Sequence, residues 1–282
     1  MRTVLIGAGN IAVSLSAALL QNGHTIAQIW SRTHASAQQL ADRLDNGGQT
    51  AATDRLADVL PDADLYILAV RDSALSETAE RLGQALTEKS AAYAPHRLFV
   101  HVACTQSIET LRPLRAFGMT GVLYPLQSFV KSRVVELNKV AFFTEGDSEQ
   151  SARAVRELAL SFSPSVYAAD YEQRQYIHFA GNMAGNFSNC LYAIAKEALD
   201  EAGIPFEVLF SIIDETAHKI HTLPPREAQS GPAARGDEVT TEKHLALIDR
   251  MKTPTAQDKN SPVTLKDVYR FFTHNIQSEA TR

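Results

Sequence analysis

Three groups of residues have types and spacing suited to chemistry. The run Thr3-Val4-Leu5-Ile6-Gly7-Ala8-Gly9-Asn10-Ile11-Ala12 carries a strand-like apolar pattern straight into a glycine turn and the start of a helix. Gly7 permits a tight turn, Gly9 lets the backbone approach a phosphate, and Ala12 lets the helix lie close to the strand. Gly7, Ala8, Gly9, Asn10 and Ile11 would then surround an anion with free backbone N–H groups. The apolar run Ile11 to Leu20, closed by Gly23, supplies the helix, and in that context the turn reads as the pyrophosphate site of a dinucleotide. A domain that kept the turn without the ligand would show the same pattern.

The second group follows the strand-like run Ile26 to Trp30. A carboxylate there would accept hydrogen bonds from a ribose diol, whereas this chain has Ser31, Arg32 and Thr33. A guanidinium flanked by hydroxyls suits a 2′-phosphate, so NADP(H) is the expected cofactor; a solvated loop arginine is the plainer alternative. Val70 and Arg71, at the carboxyl end of the buried run from Leu65, are expected to wall the same crevice. Asp72 fits an N-cap for the helix that follows.

His178, Asn182, Asn186 and Asn189, spaced by four, four and three, form the third group and would share one face of a helix. Reduction of a C=O or C=N group leaves charge that a proton must neutralise, and a histidine can supply it. The asparagines can hold substrate or the carboxamide of the nicotinamide. His178, Asn182 and Asn186 are therefore the candidate catalytic residues, the alternative being a core histidine with bridging asparagines. Arg235, in the loop Gly231 to Asp237, could pair bidentately with a substrate carboxylate, or be satisfied together with Asp237 at a helix end. Asp214, His218 and His221 could be imagined around a metal with His244, but histidines near a helix C-terminus are favoured by the macrodipole, and no metal is expected.

Positioning these groups requires two kinds of domain. The chain has 282 residues, 45 % apolar and 21 % charged, which suits about two globular domains. Strand-like runs at 65–70, 98–102, 121–123, 140–144 and 165–168 continue the first two and alternate with helical spacing, giving right-handed βαβ units. Helical spacing alone follows, over 171–201, 205–221, 240–251 and 265–276, and the segment 253–262 reads as a surface loop. The expected fold class is α/β, a Rossmann-type mostly parallel sheet in residues 1–168 followed by an all-helical domain in 169–282. A net charge of −5 and pI near 6.0, with no basic run, argue against nucleic acid as partner. No apolar stretch is long enough for a membrane span, no targeting pattern opens the sequence, and Cys104 and Cys190 form no framework, so a cytoplasmic protein is expected.

The motifs Gly-Ala-Gly-Asn-Ile-Ala at 7–12, Trp-Ser-Arg-Thr at 30–33 and Leu-Ala-Val-Arg-Asp at 68–72 resemble the NADP-binding domains of pyrroline-carboxylate reductases, deazaflavin-dependent NADP oxidoreductases and ketopantoate reductases. The runs at 176–189 and 229–237, followed by His244-Leu245, resemble a bacterial family that joins a Rossmann-like domain to a helical domain of unknown function, over nearly the whole chain. Against ketopantoate reductases, His178 stands where the resemblance would place a catalytic lysine four residues before Asn182. The acid must then be histidine, another group or water. Tyr124 stands where relatives often carry histidine, which would alter substrate choice or polarity. The resemblance implies an NADP(H)-dependent oxidoreductase acting on a small molecule in a cleft, and a homodimer formed through the helical domain is expected. A non-catalytic NADP(H)-binding sensor or partner-docking protein is the alternative, and a vestigial site in an interaction module a third.

Overall fold

The computed structural model describes residues 1–44, 48–258 and 260–280. The chain divides into two compact units, Met1–Asn186 and Phe187–Arg282.

The first unit is built on one eight-stranded sheet of order β3-β2-β1-β4-β5-β6-β7-β8. Its strands are β1 (Arg2–Ile6), β2 (Thr25–Trp30), β3 (Ala51–Thr53), β4 (Leu65–Leu68), β5 (Leu98–His101), β6 (Met119–Leu126), β7 (Ala141–Gly146) and β8 (Val166–Ala168). Val4, Leu5 and Ile6 are fully buried on both faces of β1, the pattern of a central strand in a parallel sheet. Val4 and Ile6 belong to one buried cluster with Leu75, Ala79 and Leu82 of α3 (Asp72–Glu88), while Leu5 belongs to the other, to which α1 (Asn10–Gln21), α2 (His34–Asp42) and α4 (Glu149–Phe162) contribute. Helices thus cover both faces, and the strand order reverses direction between β1 and β4, where ligands of open α/β sheets bind.

One pairing departs from the parallel pattern. β7 runs antiparallel to β6, with Leu123 opposite Thr144 and Leu126 opposite Ala141. Between β6 and β7 lies no crossover helix, only the 3-10 turn Leu137–Lys139, and a parallel return needs a longer connection. The three-residue β3, unmarked by hydrophobic periodicity, closes one edge of the sheet; the equally short β8 closes the other.

α5 (Tyr171–Gly181) starts on a capping box formed by Asp170 and Gln173 and clusters with the sheet. It runs into a π-helical segment, Asn182–Phe187, and then α6 (Ser188–Glu201). The π turn interrupts the expected unbroken α-helical face, because an i→i+5 bonding pattern inserts extra backbone per turn.

The second unit is helical, with α6, α7 (Phe210–Lys219), α8 (Glu238–Ile248), α9 (Pro254–Gln257) and α10 (Leu265–Ala280). The segment 253–262 is not an open loop. Thr253 caps α9, and Glu197 of α6 accepts from Thr255 N at 3.0 Å and Thr255 Oγ1 at 2.9 Å. Lys259, within that segment, lies outside the described residues. No described helix is long and apolar enough to cross a membrane.

Candidate active site

The turn after β1 is held from both sides. Gly7 N donates to Trp30 O at 2.8 Å, and Ala69 N donates to Ile6 O at 2.8 Å. Gly7 has φ +124°, and a Cβ there would lie 2.4 Å from Ala69 O, so backbone contact with the end of β4 excludes any side chain. Gly9 differs. It is extended, with φ −82° and ψ −170°, and a Cβ would meet only Ala69 O at an ordinary 3.7 Å. Among the described residues nothing calls for glycine at position 9, whereas a phosphate seated on the turn would. Gly9 also leaves α1 without a side-chain cap, so the first N–H groups of that helix are available to an anion. Ala12 is fully buried against the sheet, as close helix packing requires.

The other expected cofactor residues lie at carboxyl ends of the neighbouring strands. Ser31 N donates to Thr53 O at 3.1 Å, and Thr33 is the N-cap of α2, accepting from Ser36 N at 3.4 Å. Arg32 is exposed and, among the described residues, makes no hydrogen bond or ion pair. Val70 is half-buried beside the crevice. Arg71, not Asp72, is the N-cap residue of α3; its side chain is exposed and likewise unpartnered among the described residues. The Asp72 carboxylate, inside the first turn, accepts instead from Thr105 Oγ1. Two free guanidiniums therefore follow β2 and β4, the strands on either side of β1.

Farther along the same edge, β6 outlasts β5. Their last pair is His101 with Val122, and Tyr124 extends beyond it, paired only with Phe143 of β7. Its hydroxyl lies 3.5 Å from His178 Nδ1 on α5, with ring centroids 6.5 Å apart. The Cys104 thiol, in the loop after β5, lies beside the Tyr124 hydroxyl and donates to Arg174 O at 3.0 Å. Burial pushes that thiol up to about 11, and burial with the neighbouring Cys104 raises the Tyr124 phenol above its ordinary value, so both keep their protons at neutral pH.

Arg174 fastens α5 to this edge. Fully buried, it pairs with Glu145 of β7 and donates to Ala169 O at 3.0 Å and Gln106 O at 3.1 Å. His101, also fully buried, lies against it; burial, then the Arg174 charge, pushes this imidazole down to about 3, so it is neutral. The backbone of Ala103 and Ser107 lies alongside, but neither ring nitrogen has a hydrogen bond of full geometry.

Asn182 Nδ2 donates to His178 O at 3.1 Å, and Asn186 Nδ2 donates to Asn182 Oδ1 at 2.5 Å, so His178, Asn182 and Asn186 form a bonded series along the helix. In the second unit, Arg235 is exposed just before Gly236; its backbone N–H donates to Pro232 O at 3.1 Å, and its guanidinium has no hydrogen bond among the described residues. Asp237 is the N-cap of α8, accepting from Thr240 N at 3.0 Å, so it does not bond to Arg235. Among the described residues no group of three or more His, Cys, Asp and Glu side chains is arranged for a metal. Sequence reading noted Tyr124 as standing where relatives carry histidine and Cys104 only as part of no disulfide framework, and it missed Arg174; their signal is proximity across long stretches of chain, not local spacing.

Residues 1–125 match a Rossmann-like domain and residues 140–276 match DUF2520, a domain of unknown function. A Bacteroides fragilis protein described as a putative NADP oxidoreductase is 35 % identical, with 98 % of each chain covered and a TM-score of 0.83. The chain belongs to the family that joins these two domains. The DUF2520 chain also shares its fold with an imine reductase from Myxococcus stipitatus in complex with NADP+, at 14 % identity and TM-score 0.62, covering 100 % of this chain and 94 % of that one. A pyrroline-5-carboxylate reductase from Coxiella burnetii is similar at 14 % identity and TM-score 0.55, with 99 % and 97 % covered. No curated protein matches the DUF2520 chain by sequence.

Proposed function

We propose that this DUF2520 protein is an NADP(H)-dependent oxidoreductase that reduces a C=O or C=N group of a small metabolite. The observation that carries the reading is the turn at Gly7–Asn10, where Gly9 is open in a way the protein itself does not require, beside an uncapped helix start. Gly7, Ala8, Gly9, Asn10 and Ile11 would hold the pyrophosphate. Ser31, Arg32 and Thr33 would take the 2′-phosphate, Arg32 through its free guanidinium, and Val70 and Arg71 would line the crevice. When bound, the cofactor supplies the hydride from its nicotinamide.

His178 donates the proton that the reduced atom needs, and Asn182 and Asn186, bonded in series behind it, orient the reacting groups. Arg235 would pair with a carboxylate of the substrate. The putative NADP oxidoreductase of B. fragilis supports the redox class. Cofactor binding is assigned to residues 1–168, and substrate contacts and assembly to 169–282. Free Cys104 and Cys190 suit a reducing compartment, which supports the cytoplasm.

A homodimer belongs to the same proposal. From residue 187 on, only Ala228, Met251 and Thr253 among the described residues are buried, and α6, α7 and α8 bury none of their side chains. Phe187, Phe210, Phe271 and Phe272 are 41–63 % exposed, as is Ile212 of α7 at 62 %. A second copy of the chain would cover these side chains.

Calorimetric titration with NADPH and NADH tests the reading. NADPH should bind selectively, Arg32→Ala should weaken it about tenfold or more, and 2-keto acids and cyclic imines can then be screened for NADPH consumption. Binding of neither nucleotide overturns the proposal.

A further inference from the structure

We infer that Tyr124 is the source of the proton that His178 hands over, with the imidazole acting as a neutral relay fixed in its Nε2–H tautomer. The inference rests on the reading of His178 as proton donor and concerns where its proton originates.

The far end of the network sets the direction. The Cys104 thiol has one hydrogen, and it is committed to the Arg174 carbonyl 3.0 Å away. Cys104 can therefore accept from Tyr124 but cannot donate to it. The single hydrogen of the phenol has two acceptors in reach, the Cys104 sulfur and His178 Nδ1 at 3.5 Å. Sulfur is a weak acceptor and an imidazole nitrogen a strong one, so in this half-buried setting the hydrogen belongs to Nδ1. The opposite arrangement, Nδ1–H donating to the phenol oxygen, would leave the phenol hydrogen with sulfur alone. A filled Nδ1 puts the ring hydrogen on Nε2.

The groups around the pair leave Nδ1 to the phenol. Among the described residues, no carboxylate is hydrogen-bonded to His178. Asp72 on α3 acts on Tyr124 from a distance, and its carboxylate is engaged by Thr105. Arg174 is balanced by Glu145, His101 is neutral, and the Cys104 thiol keeps its proton. What His178 has instead of a carboxylate is a phenol.

In the step itself, the Nε2–H bond breaks as a bond from hydrogen to the substrate oxygen or nitrogen forms. The Tyr124 O–H bond breaks as Nδ1–H forms. The imidazole ends neutral with its tautomer reversed, the negative charge of the reduced atom resides on the phenolate, and water restores the phenol proton. No oxidant or reductant beyond the hydride donor is involved.

The test begins with the full-length protein and no ligand. Imidazole 15N spectra at neutral pH, with His178→Gln to assign the resonance, should show His178 as Nε2–H; an Nδ1–H signal overturns the inference whatever the enzyme does. The second arm is the pH–rate profile of Tyr124→Phe, a change that keeps the ring, on whichever 2-keto acid or cyclic imine consumes NADPH. Turnover should fall about a hundredfold at pH 8 with KM little changed, and recover toward acid pH as the solvent supplies protons more readily. A profile parallel to that of the wild type overturns the relay. Loss of turnover in His178→Gln with Tyr124→Phe unaffected would remove Tyr124 while leaving the proposed function standing.

Discussion

Gly7 and the carbonyl of Ala69 are so close that a Cβ on Gly7 would lie 2.4 Å from the oxygen, while the same addition at Gly9 would lie 3.7 Å from it. Two glycines of one turn thus answer to different constraints. Gly7→Ala should cost about 3 kcal/mol or more of stability, because it combines backbone overlap with a positive φ. Gly9→Ala should leave the unfolding free energy within about 0.5 kcal/mol of wild type yet weaken NADPH binding at least tenfold. Urea titration and calorimetry on the two variants separate the effects, and equal stability losses would contradict this account.

His178→Ala should lower turnover by a factor of about 10² to 10⁴, the usual worth of a positioned proton donor. NADPH affinity should change little, since the ring lies with Tyr124 on β6 and not at the glycine turn. Steady-state kinetics with a parallel NADPH titration reads both, and undiminished turnover removes His178 from the mechanism.

His101 predicts an acid sensitivity. Its folded value of about 3 lies below that of an unfolded histidine, about 6.5, so the unfolded chain binds the proton first. The stability that goes with a neutral His101 is complete above pH 6.5 and drains away as pH falls toward 3, by up to about 1.4 kcal/mol per unit. Between pH 7 and 4.5 the wild type should lose about 2 kcal/mol more than His101→Leu, measured by urea unfolding at each pH. Identical losses would mean that His101 is not what responds.

The helical unit predicts assembly. Sedimentation should give a dimer, and Phe271→Asp, which sets a charge on a residue 63 % exposed, should shift it toward monomer and lower the melting temperature. A wild-type monomer at micromolar concentration would contradict the dimer.

What could be read in advance follows from how local each signal is. The turn at Gly7–Ala12 was legible because strand, glycines and helix are contiguous, and the helical unit because its spacing is regular. The reversal of β7 was not, since apolar periodicity carries no strand direction and only the missing crossover helix gives it away. The π segment at Asn182–Phe187 is a shift in backbone bonding that leaves side-chain spacing unmarked. Arg174 and Cys104 meet across 70 positions of sequence, and nothing near either residue announces the other.

The three-residue strands β3 and β8 at the two margins of the sheet have a consequence for quality control in the cell. A foreign or misfolded chain seeking to add itself to an exposed margin would find only a few backbone groups to grip at either end, too little to hold an extra strand in register. Growth into fibrous aggregates by strand addition is thereby discouraged without spending charged gatekeepers on either border, and the sheet can remain long and apolar inside.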